Sequence, residues 1–369
     1  MSWALTIFGI MLLILLHELG HFLVAKRVGM RVERFAVFFP PLIVKRRLGE
    51  TEYGIGALPF GGYVKITGMN PDEIKGLPPE LAKRAYYNQP PWKRIAVILA
   101  GPGVNILIAF VIFWAVLVAG NQSGAEALAR FDPSAQTLVG TTGVAGVIKG
   151  LPAAKEIRPG ERIVAIDGHP ATVESVRKAV DATKCPGGAK HTGCRATSAV
   201  NVKVRAPSGA TRTVRIYPRY SEGRMLIGVD FATAPKSFGV FAAAGTAVAE
   251  MWRATTSTVS GLGEALTSSK KRKELHSIIG ITEYAHATVV SGTGVALVFL
   301  GFISLVLAVI NLFPFLPLDG GHVAWALAEK IRGRRVSLAA MVRFSSVGIV
   351  LLLFLVVNGF ANDISRLTG

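Results

Sequence analysis

The chain has 369 residues, 51% of them hydrophobic, which is too apolar for an ordinary soluble protein and long enough for more than one domain. The formal net charge of +18 comes from basic residues spread through every polar segment. With no aromatic-interleaved patch and no recognition helix, that charge excludes nucleic acid as the partner and points to anionic lipid and a bilayer.

Four stretches are long enough to cross a membrane, at about 3–25, 95–119, 287–318 and 342–361. The fold class expected is therefore an α-helical polytopic membrane protein with four transmembrane helices. The first stretch contains MLLILLHELGHFLVA, residues 11–25, where His17, Glu18 and His21 interrupt an apolar run. Ionisable groups there are costly without a partner and a task. On a helix His17 and His21, at i and i+4, share one face, so both imidazoles can reach one metal ion with Glu18 beside it. Two imidazoles leave a Zn²⁺ ion in need of a third protein ligand and an open position for water. Glu18 would take a proton from that water and pass it to a leaving amine. HExxH also arises by chance in soluble helices, but the apolar surroundings remove the solvated reading. Nor does the N-terminus read as a cleaved signal peptide, since it lacks a basic n-region and a small-residue cleavage site.

Residues 26–94 hold 13 Lys or Arg against six acidic residues, with basic pairs hard against both membrane ends. Beyond Asp319, at the end of the third span, Lys330, Arg332, Arg334, Arg335 and Arg343 face only Glu329. The positive-inside rule makes both loops cytoplasmic, so the termini and the long segment 120–286 lie outside. Within the first loop, RVERFAVFF, PLIVKRR and TEYGIGALPFGGYVKITGM read as short strands broken by Pro and Gly. Pro59, Phe60, Gly61, Gly62 and Tyr63 form a turn or bulge leading into an edge strand. Such an edge can pair with an extended substrate backbone, or the hairpin can simply cover the site.

The second span carries AGPGVN, whose Gly101, Gly103 and Asn105 read as close helix packing rather than chemistry. Outside, Val200, Val202 and Val204 alternate with polar residues in a half-buried strand, within a compact α+β domain at about 140–231. Cys185 and Cys194 lie in one polar loop, where a disulfide ranks ahead of idle thiols and of a small metal site with His191. The uncharged run Ser237–Ala249 is too short to cross and reads as an interfacial or packing helix, followed by the Lys270–Lys273 cluster at the membrane surface.

The third span ends in NLFPFLPLDGGH, where Pro314 and Pro317 stop the helix. Unwound backbone at membrane depth must line protein or water, so it signals function. Asp319 is the leading third zinc ligand; His322 is a candidate supporting residue, and His286 sits at the wrong, outer end. Asn311 would bond substrate backbone or cap the helix.

HELGH, PFGGYVKI, AGPGVN and NLFPFLPLDGGH, in this order, resemble the site-2 protease family of intramembrane zinc metalloproteases, peptidase family M50. The nearest branch looks like the bacterial regulator-of-sigma-E type. The resemblance implies one zinc ion on His17, His21 and Asp319, Glu18 as catalytic acid/base, and Asn311 with Pro314 in a substrate-holding segment. It implies a membrane-associated β element at Phe60–Tyr63 and a single PDZ-like domain at about 140–231. The substrates implied are single-span membrane proteins, such as anti-sigma factors, already trimmed by another protease, in a bacterial inner membrane. The domain plan is then 1–119 and 287–369 as two halves of a membrane core, 120–235 as the extracytoplasmic segment, and 236–286 as an interfacial linker. The chain departs from the pattern in having room for one PDZ domain and in its cysteine loop. Rival classes are a metal or proton transporter using the intramembrane His and Asp, and a catalytically idle PDZ adaptor.

Overall fold

The computed structural model describes residues 2–131, 137–188, 191–221, 223–275 and 277–368. It divides into a membrane unit, residues 1–135 with 237–369, and a second unit, residues 136–236.

The membrane unit opens with helix α1 (Ser2–Arg27). Its last turn carries Lys26 and Arg27, which suit the negative end of the helix dipole. Strands β1 (Val32–Leu48) and β2 (Thr51–Ile66) follow, paired with each other in an irregular register. Phe35 faces both Tyr53 and Val64, while Val44 faces Ile55, so the two long strands double back on each other. The spatial order becomes 42–48, 51–56, 32–39 and 62–66, and the final stretch pairs with β1 alone. That leaves residues 62–66 as an edge.

Helix α2 (Pro91–Val118) starts with Pro at its first turn, where a missing N–H costs nothing, and is the scaffold of this unit. Its buried residues feed two apolar clusters. Val97 and Ile98 pack with Phe22, Ala25 and Ile66, whereas Ala109 and Phe113 pack with Val298 and Leu305.

The second unit contains β3 (Leu138–Val147), β4 (Arg162–Ile166), α3 (Val173–Asp181), β5 (Val200–Arg205), β6 (Thr211–Ile216), β7 (Arg219–Ser221), β8 (Arg224–Leu226) and β9 (Val229–Pro235). The main sheet runs β9-β3-β4-β5-β6 with every pair antiparallel, and β7 and β8 form a separate hairpin. Thr172 begins α3 with a capping box shared with Ser175. On β5 the alternation is strict: Val200, Val202 and Val204 are buried, while Asn201, Lys203 and Arg205 are exposed. Each such valine contributes about 1.5–3 kcal/mol relative to an exposed one. Cys185 and Cys194 are joined as a disulfide and lie in this core, so the metal reading with His191 is not adopted.

The chain re-enters the membrane unit through α4 (Val240–Thr267), α5 (Ile278–Ser291), α6 (Thr293–Asn311), α7 (Asp319–Arg332) and α8 (Leu338–Thr368). Two expectations change here. The uncharged run at 237–249 continues through Glu250 and Arg253, which pair with each other, into a 28-residue helix whose Ala243, Ala247 and Met251 pack on α2 and α6. The apolar stretch 287–318 is broken at both ends. Gly292, at φ 136°, separates α5 from α6, and residues 312–318 are not helical.

Among the described residues, four helices are long and apolar enough to cross a membrane: Trp3–Arg27, Pro91–Val118, Thr293–Asn311 and Ala339–Leu367. The shortest, 19 residues, is about 28 Å long, close to the hydrocarbon thickness of a bilayer.

Candidate metal centre

His17 and His21 project from one face of α1 and are both buried. Asp319 is the first residue of α7, reached through the non-helical segment 312–318. One oxygen, Asp319 Oδ2, lies 3.1 Å from His17 Nε2 and 3.2 Å from His21 Nε2, and the two Nε2 atoms are 3.2 Å apart. Three donor atoms thus form a nearly equilateral triangle.

The triangle fits a zinc ion. Tetrahedral bonds of 2.0–2.1 Å put neighbouring ligand atoms about 3.3 Å apart. The tautomer fits as well. The Val97 carbonyl can only accept, so His21 Nδ1–H donates to it at 2.9 Å, and the Nε2 lone pair is left facing the triangle. His17 Nδ1 is buried with no partner among the described residues.

Helix α2 supplies the floor. A Cβ added at Gly101 would collide with both imidazoles, so this position tolerates nothing larger than glycine. Gly103, by contrast, meets nothing within 4 Å. Gly101 therefore belongs to the site's wall, a role the reading of AGPGVN as helix packing did not give it. Asn105, one turn further along α2, is fully buried with both side-chain amide atoms unpaired among the described residues.

Glu18, next to His17, faces β2. A Cβ on Gly62 would run into its side chain. Gly61 turns the strand with φ 75°, a conformation glycine adopts freely. Tyr63 is half-buried, its ring 5.8 Å from that of Phe39, and the Phe60 side chain lies outside the described set.

Asn311 ends α6 and donates its amide to the Leu307 carbonyl of its own helix at 3.0 Å. Pro314 is exposed within the unwound segment. His322 faces Tyr86, ring centroids 6.0 Å apart, and His286 stacks on Trp3 at 3.9 Å.

An ion pair holds α7 against the start of α2. Arg94 and Glu329 are both buried and directly bonded; Tyr87 Oη–H donates to Glu329 Oε1 at 3.2 Å and the Val336 amide donates to the same oxygen at 3.3 Å. Burial and the neighbouring carboxylate push the Tyr87 hydroxyl up to about 12, so it stays a donor at neutral pH.

Four helices long and apolar enough to cross a membrane, together with a buried His–His–carboxylate cluster, make this a multi-pass membrane protein of the metallohydrolase class. The model of Peptidase family M50 matches residues 5–355. The chain is 33% identical over 355 residues to zinc metalloprotease Rip1 of Mycobacterium tuberculosis, covering 88% of this chain and 84% of the relative. It is 28% identical over 460 residues to regulator of sigma-E protease RseP of Salmonella typhimurium, covering 99% of each. The chain belongs to peptidase family M50. It is a zinc metalloprotease of the site-2 type, working in regulated intramembrane proteolysis.

Proposed function

We propose that His17, His21 and Asp319 hold the zinc ion, that Glu18 is the general base, and that the substrates are single-span membrane proteins. The observation that carries this reading is the triangle of donor atoms, with edges of 3.1–3.2 Å, beside a carboxylate in an apolar helix.

When bound, zinc supplies Lewis acidity that acidifies a water molecule and polarises the scissile carbonyl. The Glu18 carboxylate takes the water's proton and delivers it to the leaving nitrogen. A substrate helix keeps its carbonyls in its own hydrogen bonds and must unwind before attack. The edge at residues 62–66 accepts the unwound backbone as an added strand, next to Glu18. Phe60, Gly61, Gly62 and Tyr63 shape that edge, while Asn311 and Pro314 hold the substrate from the other side.

The second unit is read as the PDZ-like domain, on the strength of a five-strand antiparallel path and a groove of about 150 Å³ between α3 and residues 224–231. The charge asymmetry of the loops supports an inner-membrane protein with both termini and this domain outside, and cleavage toward the cytoplasm. By analogy with the sigma-E regulator, the substrates would be anti-sigma factors trimmed beforehand by another protease.

The test is cleavage of a model single-span substrate by the intact chain in detergent. Cleavage that a zinc chelator abolishes and added zinc restores supports the reading, and chelator-resistant cleavage overturns it.

A further inference from the structure

The main sheet of the second unit has two unlike faces. One carries the core, where Val176 and Val180 of α3 share a cluster with Val202, Val204 and Val214. On the other, the register sets Arg162 of β4 opposite Arg205 of β5. Across to β6 it sets Lys203 opposite Thr213 and Asn201 opposite Arg215. All six of these residues are exposed. Arg162, Lys203, Arg205 and Arg215 make no ion pair or side-chain hydrogen bond among the described residues.

The acidic residues nearby are engaged elsewhere. Glu161, next to Arg162 in the chain, is buried and pairs with Arg212. Asp167 accepts hydrogen bonds from the main-chain and side-chain amides of Asn201, and Asp230 lies on β9, two strands beyond β4. Like charges directly opposite each other destabilise an antiparallel pair. A face that keeps Arg162 against Arg205, with no acid between them, therefore calls for an anion from outside the chain.

The surroundings of the cations say which anion. A protein partner is held by large apolar anchors at the centre of its interface, and between these charges stand only Ala165, Asn201, Thr211 and Thr213. Guanidinium, ammonium, hydroxyl and amide donors together match phosphate oxygens. Phosphates are also close at hand, because only residues 236–239 separate β9 from α4 of the membrane unit. A tether that short raises the effective concentration of the bilayer surface at the second unit. We propose that the open face of β4, β5 and β6 docks on anionic phospholipid headgroups of the membrane that the chain spans, through Arg162, Lys203, Arg205 and Arg215. Docking turns a tethered unit into one held at the bilayer surface, with an orientation set by lipid charge and ionic strength. The inference needs the membrane class of the protein, and neither the substrate reading nor the side on which this unit lies.

The experiment places a fluorophore on the thiol introduced by Thr213→Cys in the full chain; Cys185 and Cys194 are paired with each other and do not take the label. The labelled chain is reconstituted in nanodiscs that contain a quencher attached to a lipid headgroup. Quenching should be strong in phosphatidylcholine mixed with phosphatidylglycerol, weak in phosphatidylcholine alone, and reversed by high salt. Lys203→Gln combined with Arg205→Gln should shift the docking equilibrium about thirtyfold toward release. Lys155→Gln combined with Lys184→Gln removes as many exposed charges from elsewhere in the unit and should leave it nearly unchanged. Quenching that ignores phosphatidylglycerol overturns the proposal, as does an equal loss from the two pairs of substitutions, which would mean attraction by net charge alone. A label shielded by soluble polyglutamate but indifferent to phosphatidylglycerol would identify an acidic protein partner, and overturns it too. Should the Lys203 and Arg205 variant fail to fold, the lipid and salt response of the labelled chain decides by itself.

Discussion

His17 and Asp319 are separated by 302 positions in the chain and by 3.1 Å in space. Neither helix carrying them could form the site without α2, which presents Gly101 to the imidazoles and the Val97 carbonyl to His21, and whose Arg94 anchors α7. The central span is the template on which the two ends of the protein meet.

Replacing Glu18 with Gln keeps the shape of the side chain and removes its basicity. The variant should retain one zinc per chain and lose cleavage by about 10²–10⁴-fold. Zinc analysis of the purified chain, with a single-span substrate assay, checks both halves; near-normal cleavage would remove Glu18 from its role.

Gly101→Ala should weaken zinc binding by about 10–100-fold, because its methyl group would displace both imidazoles. Gly103→Ala should leave it unchanged, since nothing lies within 4 Å of a methyl group there. Competition with a chelator of known affinity distinguishes the two variants.

Glu329→Ala leaves Arg94 buried and uncompensated and should destabilise the membrane unit by about 3–5 kcal/mol. The double change Arg94→Met with Glu329→Leu should recover much of that loss, as a buried pair replaced by apolar groups often does. Thermal unfolding in detergent measures both.

Replacing Cys185 and Cys194 together with Ser opens a loop of sequence separation 9 and should cost about 2–3 kcal/mol. Limited proteolysis of the intact chain should then cut faster within residues 137–236.

The Arg84 guanidinium bonds both oxygens of Glu50 and holds its carboxyl below the usual range. A depressed native value contributes stability above the unfolded carboxylate range and loses it as pH falls through that native value. Both groups are partly exposed, so the effect should stay within about 1 kcal/mol. Wild type and Glu50→Gln should differ in thermal stability at pH 7 and converge as the pH falls through the depressed native value of Glu50, below the ordinary carboxylate range.

Side chains that are out of place in lipid were the readable part of the site. His17, Glu18 and His21 stand out because apolar helices exclude such groups, and Asp319 because two prolines unwind the chain ahead of it. What the sequence hid was contributed by atoms without a letter code. The Val97 carbonyl belongs to the main chain, and Gly101 acts through the side chain it lacks. Hydropathy also overran the third span, since the break at Gly292 leaves apolar residues on both sides of it. The helix beginning at Val240 outruns the uncharged run because Glu250, the first charge after that run, pairs with Arg253 one turn on and the helix continues through both. The doubled course of β1 and β2 is a matter of long-range register, which alternation along one strand does not encode.

The wide separation of the histidines from Asp319 in the chain also sets the timing of the enzyme's birth. At about 5–20 residues per second, ribosomes need roughly 15–60 s to pass from the first residue of this pair to the last. Throughout that interval, on the ligand set proposed above, the newborn polypeptide carries the two imidazoles without the carboxylate that completes the centre. The proposed centre is therefore complete only once Asp319 has been made, late in synthesis.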